Sequence, residues 1–169
     1  MGRLENLLGA QAIALTDRLR HSGSAVGAAE SAALVTLHAH PDTTVTRLGE
    51  ILALTSSGVT RLVDRLAAAG WVTRTAGADR RSRRLRLTEA GTREARAVLE
   101  ARAAAMAAVV GGLSDHDRAE LERLLGLMIT TMATSEIPAM RVCRLCDRAA
   151  CADRDRECPL QHTVEVADA

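Results

Sequence analysis

The segment from Thr46 to Gly70 restricts the fold more than any other part of the chain. Apolar residues from 59 to 66 recur at the spacing of one helix face, which turns four polar side chains toward solvent: Thr60, Arg61, Asp64 and Arg65. A short amphipathic stretch, Thr46 to Leu52, closely precedes that helix. Thr55 is expected to open the helix, and Ser56 or Ser57 to supply the capping hydroxyl of its first turn. Two short helices in this order predict a helix-turn-helix with a basic face.

A charged β-hairpin is predicted directly after these helices. Trp71 begins a β-favouring run that reaches Gly77, and residues 83–88 then alternate basic with apolar at the period of a strand. The turn between the two runs, Asp79 to Ser82, is charged. A helix that fits the major groove, followed by an arginine-rich hairpin that can lie across the backbone or in the minor groove, indicates a winged helix-turn-helix.

Charge is distributed unevenly along the chain. Between Thr55 and Thr88 there are eight arginines and two acidic residues, so this segment carries +6 although the formal net charge of the whole chain is +1. Such asymmetry is typical of a polyanion-facing surface on an otherwise acidic body. The arginines are Arg61, Arg65, Arg74, Arg80, Arg81, Arg83, Arg84 and Arg86.

The remainder of the chain predicts helices. Its apolar residues are mostly Ala, Leu and Val, with a single Trp and no Phe or Tyr, and this composition favours helix over strand. Helical runs are expected at 4–19, 28–38, 88–112 and 114–134, and Pro138 is expected to close the helical body. The predicted fold class is therefore mainly α with a small β-hairpin wing.

The recognition helix and wing of the MarR family resemble one segment of this chain, Ser57 to Gly91, which reads SGVTRLVDRLAAAGWVTRTAGADRRSRRLRLTEAG. The resemblance includes Asp-Arg-Arg at the wing and the Leu-Thr-x-x-Gly that opens the following helix. In organisation it extends from about Leu4 to Thr134. It implies a sequence-specific, DNA-binding transcriptional regulator, and we expect a repressor.

Candidate DNA contacts follow from this resemblance and from the basic run. Arg74 would be the basic residue at the start of the wing strand, and Asp79 would orient a wing arginine rather than touch DNA. A plain ion pair between Asp64 and Arg65, with no role beyond solubility, stays open as the alternative for those two residues. The residues expected to contact the major groove or phosphates are Ser56, Ser57, Thr60, Arg61 and Arg65, and those expected in the wing are Arg80, Arg81, Arg83 and Arg84.

Homodimerisation is expected through the terminal helices, 3–22 and 89–134, because their apolar stripes are too extensive for a small DNA-binding domain to cover. A two-fold dimer predicts a pseudo-palindromic operator in double-stranded DNA. The resemblance also implies a small-molecule effector, since family members bind phenolic ligands between the DNA-binding and dimer regions. Without Phe or Tyr, such a pocket here would offer little aromatic stacking.

Four cysteines stand close together near the end of the chain, and the sequence has no others. Their spacing is C-x2-C-x4-C-x6-C, followed by Pro159. Core packing would scatter thiols among apolar residues, and disulfides are disfavoured in the reducing compartment where a DNA-binding protein works. We therefore predict a metal site, with a disulfide or redox-active thiols as the alternative; the ligands would be Cys143, Cys146, Cys151 and Cys158.

The identity of the metal is left open between two choices. Four thiolates suit tetrahedral zinc, which we favour as the more frequent structural ion, and they equally suit an iron–sulfur cluster, since the final Cys-Pro is similar to ferredoxin-like runs. His162 is an alternative ligand, although a lone histidine in a tail is more often solvated. Three arginines are expected to offset the negative charge of the thiolates: Arg141, Arg144 and Arg148.

The cysteine site has two candidate roles, and the chain two candidate functions. The site would either fold the tail or sense metal, oxidant or nitrosative chemistry and so change DNA binding. The alternative function is that of a metal- or iron–sulfur-binding redox protein, in which the winged domain serves mainly as a dimer scaffold.

Other functional classes receive less support. No stretch approaches the roughly 20 apolar residues of a membrane span, and no leader pattern is evident, so a cytoplasmic protein without a membrane partner is expected. An enzyme is not expected, because no nucleophile or carboxylate constellation accompanies the histidines His21, His38, His40, His116 and His162. The domain prediction is 1–137 for the winged domain, with a DNA-binding core at about 29–90, and 138–169 for the cysteine tail.

Overall fold

The computed structural model describes residues 2–20, 26–76, 83–151 and 157–163. Within them the chain is mainly helical with one two-stranded antiparallel hairpin, which confirms the predicted fold class. The elements in chain order are α1 Arg3–Arg20, α2 Ala28–Ala39, α3 Val45–Leu52, α4 Ser56–Ala68, β1 Val72–Ala76, β2 Arg83–Leu87, α5 Glu89–Val110, α6 Asp115–Thr130, α7 Glu136–Cys143, α8 Arg148–Cys151 and a 3₁₀ turn Gln161–Thr163.

The hairpin is anchored to the segment between α2 and α3. Val72 pairs with Leu87 and Arg74 with Leu85 across the two strands. On its other side β2 meets Thr44 in an isolated bridge, and the amide of Leu85 donates to the carbonyl of Thr43 at 2.9 Å. These bonds fix the wing relative to the helices that precede it.

One large apolar core holds α2, α3, α4, the hairpin and the first half of α5 together. Burial of aliphatic side chains stabilises a fold by about 25 cal/mol per Å² of apolar surface, and the side chains in this core are almost fully buried. Its members are Ala33, Leu34, Leu37, Leu48, Val59, Leu62, Val63, Leu66, Val72, Leu85 and Ala95.

The turn between α3 and α4 is tight. Ala53 ends α3 in the left-handed region with φ 54°, and Thr55 begins α4 by accepting a hydrogen bond from the amide of Gly58 at 3.2 Å. Thr55 opens α4 as expected, but its own hydroxyl is the cap, so the expectation that Ser56 or Ser57 supplies this hydroxyl is wrong. Gly49 allows the close approach of α3 to α4, since a Cβ there would lie 3.2 Å from Cγ1 of Val59.

The Leu-Thr-x-x-Gly motif joins α5 to the base of the hairpin. The Thr88 hydroxyl donates to the carbonyl of Gly70 at 2.7 Å and accepts from the amide of Gly91 at 3.0 Å, while the Thr88 amide donates to the carbonyl of Trp71. A Cβ on Gly91 would lie 2.0 Å from the Trp71 carbonyl oxygen. Glycine is therefore required at position 91 because the backbones touch there.

The helical body does not end at Pro138. Helix α7 begins at Glu136 and includes this proline in its first turn, where a missing N–H breaks no helical hydrogen bond, so the expectation of a stop at Pro138 is wrong. A small second core lies beside α7 and consists of Ala133, Ala139 and Leu160, with Cys143 and Cys158 packed against it.

Helices α1 and α6 expose apolar side chains. Four residues of α1, Leu4, Leu7, Leu8 and Ile13, and four of α6, Leu124, Leu125, Leu127 and Met128, are well exposed in the single chain. Among the residues that the structure describes, no helix is both long enough and apolar enough to cross a membrane.

Candidate nucleic-acid interface and cysteine pocket

Helix α4 presents the predicted polar face to solvent. Its buried residues are Val59, Leu62, Val63 and Leu66, which places the intervening side chains outside. Ser56, Ser57, Thr60, Arg61 and Arg65 are all exposed. The structure thus brings the predicted helix contacts together on one surface.

The two arginines of this face differ in their surroundings. Arg65 donates to Oε1 of Glu30 on α2 from Nε at 2.9 Å and from Nη2 at 2.6 Å. Within the described ranges, no side chain forms an ion pair or hydrogen bond with the Arg61 guanidinium. Arg61 is therefore available to an outside partner without breaking a bond, whereas Arg65 first has to leave Glu30.

Asp64 and Arg65 do not pair with each other. Asp64 instead forms an ion pair with Arg74 on β1, and this bond ties the helix to the wing strand. The alternative, an ion pair between these two neighbouring residues of α4, is therefore wrong. Both charged residues have structural partners on other elements.

The wing strand β2 carries further exposed arginines. Arg83 and Arg84 are exposed, and Arg86 binds both carboxylate oxygens of Asp42, at 2.5 Å from Nε and 2.6 Å from Nη2. The hydrogen bond from Arg86 holds the pKa of Asp42 below its usual value. Residues 77–82 lie outside the described residues, and with them the predicted wing contacts Asp79, Arg80 and Arg81.

The four cysteines line one cavity of about 340 Å³. Val35, Thr36 and Ala39 of α2, together with His40 just after it, also line this cavity, so it lies between the tail and the winged body. Among the described residues, no three Cys, His, Asp or Glu side chains are close enough to hold one metal ion. The thiols thus line one cavity without already forming a metal-binding cluster.

The thiols influence one another's ionisation. The pKa of Cys146 is lowered to about 6, chiefly by a hydrogen bond with Cys143. Burial raises this pKa, and the positive charges of Arg102 and Arg144 lower it. The same hydrogen bond, together with burial, raises the pKa of Cys143, and burial raises that of Cys151. Cys146 therefore ionises more readily than Cys143 and Cys151.

The tail packs against α3, the first helix of the helix-turn-helix. We use the name α3–α7 contact for two interactions: the ion pair of Arg47 with Glu136, and the hydrogen bond from Nε of Arg141 to the carbonyl of Glu50 at 2.9 Å. Arg47 Nη2 also lies 3.6 Å from Sδ of Met140. Arg141, which sequence reasoning placed near the thiolates, thus bonds to α3 instead.

Sequence reasoning missed His40 and Thr36 as part of the cysteine site. His40 accepts a hydrogen bond from Arg148 Nη1 at 2.9 Å through Nε2, and burial together with Arg148 lowers the pKa of His40. No local sequence signal links residues separated by about 108 positions, which only the packing of the tail on α2 brings together. His162 lies in the 3₁₀ turn and is exposed.

Comparisons with known proteins agree on one family. The sequence profile of the MarR family matches residues 26–82. A MarR family protein from Bacillus stearothermophilus is 33% identical over 74% of this chain and 89% of that one, with a TM-score of 0.67. A MarR family transcriptional regulator from Silicibacter pomeroyi is 25% identical over 80% of this chain and 93% of that one, with a TM-score of 0.61.

FabT from Streptococcus pneumoniae, solved in complex with DNA, shares the fold: it is 21% identical over 75% of this chain and 92% of that one, with a TM-score of 0.61. No curated protein matches the sequence. The exposed basic helix, the wing that follows it and the 33% identity to a family member lead to one conclusion, that this chain belongs to the MarR family of transcriptional regulators.

Proposed function

We propose that the chain is a sequence-specific DNA-binding repressor that acts as a homodimer on a pseudo-palindromic operator. The observation that carries this proposal is the exposed face of α4, where Arg61 stands without a partner among the described residues beside Ser57 and Thr60. Guanidinium groups bind guanine edges in a bidentate manner and also bind phosphates. FabT, which shares the fold, was solved in complex with DNA, and this supports DNA binding by a protein of this fold.

A binding assay with single arginine variants tests the proposal. The DNA is the promoter region of the protein's own gene, and the variants are Arg61→Ala, Arg65→Ala and, as a control with the same charge change, Arg96→Ala on the exposed face of α5. We expect Arg61→Ala to weaken specific binding about 5- to 150-fold and to lower the salt dependence by about one counterion. Arg96→Ala should leave binding within about twofold of the parent.

Arg65→Ala should have a smaller effect than Arg61→Ala, because Arg65 gives up its bond to Glu30 when it reaches DNA. Equal binding by the parent and Arg61→Ala would contradict the DNA-reading role of α4. That result would favour the alternative in which the winged domain is a scaffold for a redox site.

The homodimer is supported by the apolar faces of α1 and α6. Large aliphatic side chains such as Leu4, at 75% exposed, and Ile13, at 67% exposed, are rarely left open to water over a contiguous patch. Leu8→Glu and Leu125→Glu should therefore shift the protein toward monomer in analytical ultracentrifugation and weaken operator binding. A parent protein that is monomeric at micromolar concentration would contradict this part of the proposal.

The cysteine tail is proposed to bind metal through four thiolates and to make DNA binding responsive to the state of the metal. The α3–α7 contact supports this, because a change in the order of the tail acts directly on the first helix of the helix-turn-helix. The tail's own apolar core is small, so ligand binding would supply folding free energy there. Operator affinity should therefore differ between metal-loaded and metal-free protein.

A further inference from the structure

The cavity beside the four cysteines contains a polar group without a partner. Thr36 is 3% exposed, lines the cavity, and its Oγ1 has no hydrogen-bond partner among the residues described. A buried hydroxyl without a hydrogen-bond partner lowers the free energy of unfolding. A ligand with acceptor atoms in the cavity would recover that free energy.

Other helical threonines of the same chain show that this arrangement is unusual. Four of them donate to the carbonyl four residues earlier at 2.8 to 2.9 Å. This is the ordinary local solution for a hydroxyl inside a helix. Thr36 does not adopt it, and its hydroxyl stays unpartnered in a residue that lines the cavity; the four threonines are Thr16, Thr60, Thr92 and Thr130.

The size of the cavity bears on the choice between the two ligands. Four thiolates on one zinc ion lie about 2.3 Å from it and therefore about 3.8 Å from each other, so a single ion would draw the sulfurs together. The cavity is about 340 Å³ and is lined by residues of α2 as well as by the four cysteines. It therefore has room for a group of several metal atoms and sulfides between the tail and α2.

The charges around the cavity suit an anionic cluster. A cluster held by four thiolates carries excess negative charge, and cationic side chains near it offset that charge. Arg144 and Arg148 line the cavity.

We propose that this cavity binds an iron–sulfur cluster through Cys143, Cys146, Cys151 and Cys158, with the Thr36 hydroxyl donating a hydrogen bond to a cluster sulfur. The proposal rests on the metal-binding tail put forward above and names its ligand. Each cysteine thiol gives up its proton to solvent as it ligates iron, and binding involves no change of oxidation state. Because α2 supplies one wall, the cluster contacts the winged body as well as the tail.

The first experiment identifies the ligand. The full chain is purified without oxygen, and its iron, zinc and acid-labile sulfide are measured beside its visible absorption. We expect about two or about four irons per chain with as much sulfide, and loss of both in Cys146→Ser. Stoichiometric zinc without sulfide, persisting after incubation with ferric and ferrous iron and sulfide, would overturn the cluster but not the metal-binding tail. Protein that binds neither would overturn both.

The second experiment tests Thr36. Thr36→Val removes the hydroxyl at nearly constant volume, and Thr92→Val is the matched control because the Thr92 hydroxyl bonds within its own helix at 2.9 Å. We expect Thr36→Val to speed the loss of cluster absorption in air about two- to tenfold and to lower the reduction potential, with no such change in Thr92→Val. Equal decay and equal potential in parent and Thr36→Val would overturn the role of this hydroxyl. Operator binding, measured separately with Arg61→Ala, reports on the regulator proposal alone.

Discussion

The winged body and the cysteine tail contain very different amounts of apolar core. Among the residues that the structure describes, eleven buried ones hold α2 to α5 and the hairpin together, whereas three, Ala133, Ala139 and Leu160, form the core beside α7. The tail is connected to the body mostly by polar bonds and by the thiols around a cavity. The difference indicates that the body is stabilised by its own apolar core, while the tail depends more on its contacts with α3; under the proposal above, a bound ligand would add to that stability.

The largest expected effect comes from truncating one leucine in each core. The two variants should show whether the two cores stabilise the chain separately. Leu62→Ala removes a 1% exposed side chain from the main core and should reduce the free energy of unfolding by about 2–5 kcal/mol in urea titrations. Leu160→Ala, from a core of only three buried residues, should leave that transition nearly unchanged and speed hydrogen exchange in α7. A shared loss of global stability in both variants would show that body and tail fold as one unit.

Gly91→Ala should have the next largest effect, confined to the body. The new Cβ would lie 2.0 Å from the Trp71 carbonyl oxygen, a backbone atom that cannot rotate away. We expect a loss of about 1–3 kcal/mol or more in thermal or urea unfolding. Gly112→Ala is the control, since no atom lies within 4 Å of its added Cβ; similar stability of the two variants would contradict the close approach of the backbones.

Glu136→Ala should weaken the connection between the two regions with a smaller effect. Arg47 and Glu136 are both more than a third exposed, so we expect at most about 1 kcal/mol from their ion pair. Hydrogen exchange should increase in α7, and the difference in operator affinity between metal-loaded and metal-free protein should decrease. Glu100→Ala, with the same charge change on α5, should alter neither. If Glu136→Ala leaves the difference in operator affinity unchanged, the tail does not regulate DNA binding through this ion pair.

The smallest expected effect is that of acid on the ion pair between Arg86 and Asp42, which anchors the wing. The hydrogen bond from Arg86 lowers the pKa of Asp42, so the folded state favours the carboxylate. The contribution of this carboxylate to the free energy of unfolding is fully present above the ordinary Asp pKa of about 3.9. It is lost as the pH falls through the lowered pKa of Asp42. Asp42→Asn should remove this part of the acid dependence in urea midpoints measured from about pH 2 to 6.

Asparagine suits this test because position 42 has φ 65°, a left-handed conformation that asparagine accepts readily. Any difference between the variant and the parent near neutral pH would then report the lost ion pair with Arg86 and not backbone strain. Parallel acid profiles for the parent and Asp42→Asn would contradict the assignment.

Much of the winged body could be predicted from the sequence because its signals are local. The stripe from Val59 to Leu66 selects the buried face of α4 by helical period alone, and the alternation from Arg83 to Leu87 does the same for β2. The cap of α4 and the place of Pro138 in the first turn of α7 were predicted wrongly. A helix terminus depends on one or two residues, and a proline is compatible both with ending a helix and with its first turn.

The sequence by itself determined the order of helices, the wing, the basic face and the presence of four thiols, since each follows from residue types at short spacing. Only the tertiary structure decided what those groups contact. It pairs Arg65 with Glu30, Arg86 with Asp42 and Arg148 with His40, and it places the buried Thr36 in the wall of the cysteine cavity. Contacts between residues distant in the chain arise from how helices pack, and no spacing along the sequence encodes that packing directly.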